Sequence, residues 1–471
     1  MAVTDWLGRN RNGKSLNLLG EKRETALKDL RSKGEAMVLS QSTSLKCFSA
    51  VTVFAAVFLV VFLGVGIAQA AEEEVAFGRP VAPDVPLPYV YTDWRHFTKA
   101  DGLPDDHVFA VKVDGPKVWI GTENGLACLD KRTGEIKSWT EKDGLPWRVV
   151  TAIDVDPKTG DVWLGLFGGG LARFSGGRFD HYHQLNSGLV NDVVYGVAVV
   201  EGDLIWAATT AGSSVMDLRT GEWKIFTEKN APMEEIWNYS VCYNDGKVFL
   251  AVWGSGVLEF DVATRRWKHY LDPDAEMEID LYRDDGVIHV ITTGCSYVDK
   301  VLWVSSYFGL SRYDGRHWRG FYAHETGMPS DFTNNLKARS GVECYFAHDK
   351  GLGVIADYPS DSWVSYTRDP KTLRGRAAVF RGGKKLIELD LERTIPHNFC
   401  IVLDVDEKDI WVGTGKGLGW GIGNGYFAGV KPNPQWLADY LQRKSPAEPA
   451  SPTTPSQQVS ADPAQSQVAG Q

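Results

Sequence analysis

The stretch GLPDDHVFAVKVDGPKVWIGTENGLACLDKRTGEIKSWT, residues 102–140, decides the fold. Asp101-Gly102-Leu103-Pro104 is a turn, and Val108–Val113 alternates as a strand does. Asp114-Gly115-Pro116 turns the chain into Val118–Thr122, and Asn124-Gly125 turns it again into Leu126–Asp130. Thr133-Gly134-Glu135 then leads to Ile136–Thr140. Four short strands joined by tight turns form a unit that cannot bury both faces alone. It needs neighbours.

The neighbours are in the sequence. Val118-Trp119-Ile120-Gly121-Thr122 recurs as Val162-Trp163-Leu164-Gly165, Ile205-Trp206-Ala207-Ala208-Thr209 and Val248-Phe249-Leu250-Ala251. Leu302-Trp303-Val304-Ser305, Cys344-Tyr345-Phe346-Ala347 and Ile410-Trp411-Val412-Gly413-Thr414 complete seven copies. A second motif, two large apolar residues separated by two others, precedes each: Trp94/Phe97, Ile136/Trp139, Phe179/Tyr182, Trp223/Phe226, Trp267/Tyr270, Trp318/Phe321 and Trp363/Tyr366. Eleven of the 17 tryptophans lie in these two motifs, so tryptophan is first a structural residue here. Four strands repeating about every 43 residues are the signature of a propeller blade. The first Trp-x-x-Phe strand has no blade before it, and the last Trp-x-Gly-Thr strand has none clearly after it. The sequence therefore predicts an all-β, seven-bladed β-propeller of four-stranded blades over 94–430, with Trp94–Thr98 closing the ring. Two insertions, near Arg283–Lys300 and Thr367–Thr394, are expected as surface loops.

The ends differ from this body. Residues 1–46 form a basic leader or cytoplasmic tail, with Met37 an alternative start. Residues 47–70 carry no charge and read as a signal peptide cleaved after Ala68-Gln69-Ala70, or as a membrane anchor. Residues 71–93 are a linker. Residues 431–471 form a C-terminal segment, rich in Pro, Ala, Ser and Gln and expected to be disordered from about 445. Beyond the leader the chain holds 41 Lys and Arg against 55 Asp and Glu. That acidity argues against a nucleic-acid partner, and it leaves the N-terminal segment as the contact with membrane. Five scattered cysteines follow, without C-x-x-C spacing, and read as single thiols on strands.

The run Gly102–Val108, continued by Val118–Leu126, resembles the two-component regulator propeller repeat. Asp143–Pro146 with Trp163–Gly165, and Gly188–Asp192 with Trp206, are similar to further copies. The resemblance covers roughly 94–425. It implies an extracytoplasmic propeller that perceives a ligand, often a saccharide. The kinase and the immunoglobulin-like module found elsewhere in that family are not in this sequence.

Antiparallel strands send the loops between blades, and those between second and third strands, to one face, around the channel mouth. Those loops hold Asp106, His107 and Glu123, then Trp147, Arg148 and Phe167, then Asn191 and Asp192. Trp237 and Trp253, Tyr307 and Phe308, Asp331 and His348, and His397 and Asn398 follow around the ring. The aromatic members suit stacking on a sugar or gripping a partner, and equally suit packing between blades. Asp154-Val-Asp156-Pro-Lys-Thr-Gly160-Asp161 lacks the closing glutamate of a calcium loop and reads as a turn. His181-Tyr-His183 has no third ligand nearby in sequence, so no metal and no cofactor is expected.

The expected function is an exported, non-catalytic module that binds a small molecule or docks an envelope protein, in the periplasm, outside the cell, or held at the inner membrane by 47–70. Two alternatives stay open. One is a metal-dependent lyase of the streptogramin-lyase type using His107, Glu123, His348 and His397. The other is an extracytoplasmic sensor working with a separate signalling protein.

Overall fold

The computed structural model describes residues 87–272, 285–407 and 409–423. The leader, the apolar segment 47–70, most of the linker and the whole C-terminal segment lie outside the described residues. Among the described residues no helix is long and apolar enough to cross a membrane.

The strands form seven antiparallel sheets. Their innermost strands are Val108–Asp114, Val150–Val155, Val194–Val200, Asn238–Asn244, Thr292–Val298, Thr333–Ala338 and Cys400–Val405. Each lies beside the next around a full circle, and the last lies beside the first. Asp93–Phe97 pairs antiparallel with Gly417–Ile422, Trp94 opposite Gly421, as the outermost strand of the last blade. The closing strand thus begins one residue before its predicted start. A Cβ on Gly421 would sit 3.0 Å from the Trp94 ring, so the bare backbone there makes room for the indole. The chain is a seven-bladed β-propeller.

The repeat motif explains the packing. The aromatic of the second strand is fully buried as Trp163, Trp206, Trp303 and Trp411, and nearly so as Trp119. Phe249 and Tyr345 fill the same place in the fourth and sixth blades, equally buried. Two residues on, a small residue lets the next blade approach. A Cβ on Gly121 would lie 2.7 Å from Val150, and one on Gly165 2.8 Å from Val194. One on Gly413 would lie 2.7 Å from Val108, back in the first blade.

Both expected loops need correction. Residues 367–394 are not a loop: Gly375–Arg381 and Lys384–Leu391 add a hairpin to the outer edge of the sixth blade, giving a six-stranded sheet. In the second strand Ile387, Leu389 and Leu391 are covered while Glu388 and Asp390 are exposed, as in a strand with one face packed. Near 283–300 the extra length precedes the innermost strand of the fifth blade. Residues 271–291 separate Tyr270 from Thr292, and 292–298 are strand. Residues 273–284 lie outside the described residues.

Candidate functional site

Every innermost strand carries a β-bulge at the same place. The register skips Phe109, Thr151, Tyr195, Tyr239, Thr293, Asn334 and Ile401. A bulge leaves one residue outside the ladder and re-aims its side chain. Seven equivalent bulges place one residue per blade at the channel mouth. Three of these residues bind the neighbouring blade. Thr151 Oγ1 donates to the Val194 carbonyl at 2.5 Å, Thr293 Oγ1 to that of Thr333 at 2.8 Å, and Asn334 Nδ2 to that of Cys400 at 2.7 Å. Three others are aromatic, and those project rings instead.

Two further positions frame each bulge. The residue two before it pairs by backbone with the first residue of the turn between second and third strands. Glu123 N–H donates to the His107 carbonyl at 3.0 Å, Phe167 N–H to Val149 at 3.0 Å and Trp253 N–H to Trp237 at 2.8 Å. The three positions together build a continuous aromatic arc from the second blade to the sixth. Phe167 meets Tyr195 edge-on at 5.8 Å, and Tyr195 stacks on Tyr239 at 4.9 Å. Trp237 stacks on Trp253 at 5.5 Å, and Tyr239 on Trp253 at 5.7 Å. Trp253 meets Tyr307 at 5.4 Å, and Tyr307 stacks on Phe332 at 3.9 Å. The Tyr239 and Tyr307 hydroxyls are 3.2 Å apart. All seven rings are half-buried. Burial raises the Tyr195, Tyr239 and Tyr307 hydroxyls above the usual phenol range, so they stay protonated and can donate.

Across the mouth the first blade is polar. His107 Nδ1 lies 3.4 Å from Glu123 Oε2, and its ring packs on Phe109 at 4.4 Å. Arg148 Nη1 reaches Glu123 at 3.5 Å and the Asn124 side-chain oxygen at 2.9 Å. Trp147, 41% exposed, lies over Gly168 and Gly169, where a Cβ on Gly169 would fall 2.3 Å from its own.

The remaining sequence candidates have structural partners. Asp106 accepts the Lys99 N–H at 2.7 Å, Asp192 that of Gln184 at 2.8 Å, and Asp331 that of Ala323 at 2.6 Å. Asn398 does the same for Arg368 at 2.7 Å. These side chains staple the chain where it leaves the fourth strand of a blade. Asn191 accepts the Val193 N–H at 2.8 Å, and His397 Nδ1 that of Phe399 at 3.1 Å, two residues on. Burial, with Lys416 and Arg368 nearby, lowers the His397 pKa. Phe308 packs on His289 at 4.0 Å, and burial lowers His289 to about 4.

His348 is not brought to the mouth. It ends the second strand of its blade, where Thr122, Thr209, Ser306 and Thr414 stand in others, all fully buried. Its Nδ1 lies 3.1 Å from Thr333 Oγ1, and desolvation lowers its pKa to about 3. Of the histidines and carboxylate offered for a lyase, only His107 and Glu123 meet. Among the described residues no group of three or more His, Cys, Asp or Glu side chains could hold a metal ion.

Sequence reading missed Phe109, Tyr195, Tyr239, His289 and Phe332. The signal was present: aligning the seven copies puts Phe109, Tyr195 and Tyr239 in one column.

No family model and no curated protein matches the chain. Among solved structures it resembles the extracellular domain of BT3049, described as a hybrid two-component system of B. thetaiotaomicron. That match has 15% identity and a TM-score of 0.51, over 71% of this chain and 42% of that one. The extracellular domain of BT4673 from the same organism matches at 13% identity and a TM-score of 0.51, over 70% and 40%. The chain therefore spans about two-fifths of these relatives. At such identities the likeness is one of fold.

Proposed function

We propose that this chain is an extracytoplasmic, non-catalytic propeller that binds a ligand across its channel mouth. The observation that carries the reading is the arc of seven half-buried rings from Phe167 to Phe332. A fully buried array would be packing alone, and scattered exposed rings would be ordinary surface. A partly open, continuous one presents apolar ring surface beside protonated tyrosine hydroxyls. That combination suits a ligand with alternating apolar and hydroxylated faces, such as a saccharide, with His107, Glu123 and Arg148 available for its polar end. The repeat resemblance and the apolar segment 47–70 support export. The likeness of fold to extracellular domains supports the same reading.

Thermal-shift screening of a saccharide set against the full chain, followed by calorimetric titration of each hit, tests this. A ligand should raise the melting temperature by mass action. Trp253→Ala should weaken its binding by roughly tenfold to a hundredfold, about 1.4–2.8 kcal/mol. A hit bound equally well by Trp253→Ala and Tyr307→Ala would place the site elsewhere. No hit, with a stoichiometric protein partner recovered from the native host, would replace ligand binding by docking.

A further inference from the structure

Two cysteines face each other across one gap between blades. Cys242 stands on the innermost strand of the fourth blade, third after its bulge. Residues at that position reach forward to the following blade. Asp154 accepts the Val199 N–H at 2.8 Å, Asp404 the Val113 N–H at 2.8 Å, and Ser296 Oγ the Ala338 N–H at 3.1 Å. Cys295 stands on the innermost strand of the fifth blade, second after its bulge. That position faces back: a Cβ on Gly165 of the second blade would lie 3.2 Å from Val197 of the third. Cys295 Sγ lies 3.5 Å from the carbonyl oxygen of Phe249, and Phe249 is the residue paired with Cys242 on the adjoining strand. Cys242 packs on the buried cluster that holds Cys295. Cys242 is partly exposed and Cys295 buried.

We propose that Cys242 and Cys295 form a disulfide between the fourth and fifth blades when the folded protein meets a disulfide oxidant. The partly exposed Cys242 thiolate attacks one sulfur of the oxidant, forming a mixed disulfide and releasing one thiolate. The Cys295 thiolate then attacks Cys242 Sγ and expels the second. Two protein thiols lose two electrons and two protons, and the oxidant becomes two thiols. Burial, together with the neighbouring Cys242, holds the Cys295 thiol well above its usual range, which disfavours its thiolate, so the closeness of the two residues rather than acidity drives the second step. The link would fix the strand that carries Tyr239 against the blade that carries Tyr307, the two hydroxyls that meet in the arc. It stands whether or not the arc binds a ligand.

The test uses the full chain, reduced, freed of reductant and exposed while folded to oxidised glutathione. It is then denatured, alkylated with N-ethylmaleimide and digested. The expected result is one linked peptide pair containing Cys242 and Cys295, about 2 Da lighter than the two free peptides, with Cys344 and Cys400 alkylated. In Cys295→Ala, glutathione should remain on Cys242. The linked protein should melt above the reduced one. Alkylation of both Cys242 and Cys295, or glutathione left on Cys242 in the unsubstituted chain, would overturn the proposal. So would a Cys295→Ala protein that takes no glutathione at Cys242.

Discussion

Gly413→Ala tests ring closure, because the added methyl meets both ends of the propeller. It would lie 2.6 Å from Val402 Cγ1 in its own blade and 2.7 Å from Val108 Cγ1 in the first. Both contacts are far inside van der Waals separation, and both partners are stiff β-branched side chains. Overpacking of this kind costs about 1–3 kcal/mol. The Val402 part would arise in an open array too, so the single variant does not isolate closure. A double-mutant cycle with Val108→Ala does. Val108 is fully buried, and losing its two methyls costs about 2–3 kcal/mol by itself. In that background the Val108 clash is gone. The double variant should be less destabilised than the sum of the singles by about 1 kcal/mol, within the usual coupling range of 0.5–3 kcal/mol. Urea unfolding followed by tryptophan fluorescence gives the midpoints. Additivity within about 0.5 kcal/mol would refute the contact, and with it the closed ring.

Stability should fall as pH drops below the ordinary histidine pKa. His348 stays neutral in the folded protein to about pH 3, while in the unfolded chain it takes its proton near 6.5. Folding therefore loses about 1.4 kcal/mol per pH unit from this group between 6.5 and 3, and His289, lowered to about 4, adds a similar loss down to that value. His348→Gln should unfold with a shallower pH slope than the unsubstituted protein, and equal slopes would contradict the assignment. Asn334→Ala removes the 2.7 Å hydrogen bond to the Cys400 carbonyl and should cost about 1–2 kcal/mol in urea, whereas a neutral change would mean that the bond contributes nothing across that gap.

The blade count and the closure were legible because tryptophan and glycine mark them. A buried indole and a bare backbone two residues later are needed wherever one blade packs on the next, so the motif recurs with the packing. His348 was misplaced at the mouth although it occupies the place of the motif's threonine, which is buried in the other blades. The bulges were harder to see. A skipped residue leaves no mark of its own, and Val108–Val113 reads as one regular strand. Only the register shows that Phe109 leaves the ladder. The extra hairpin of the sixth blade was missed because it has no counterpart in the repeat, although Ile387-Glu-Leu-Asp-Leu391 alternates as a strand does. The staples Asp106, Asp192 and Asp331 look like ligands in sequence because a carboxylate that caps a backbone N–H and one that binds a molecule are the same residue.

On the reading proposed above, this protein binds at its channel mouth. A photo-crosslinking residue placed at Trp147, on the rim and 41% exposed, tests it in the native host against the same residue placed at Leu386, on the outer edge and 48% exposed. Binding at the mouth should give a discrete adduct at position 147 that disappears when Trp253 is also replaced by alanine, and none at position 386. Equal adducts at the two positions, or none at either, would contradict it.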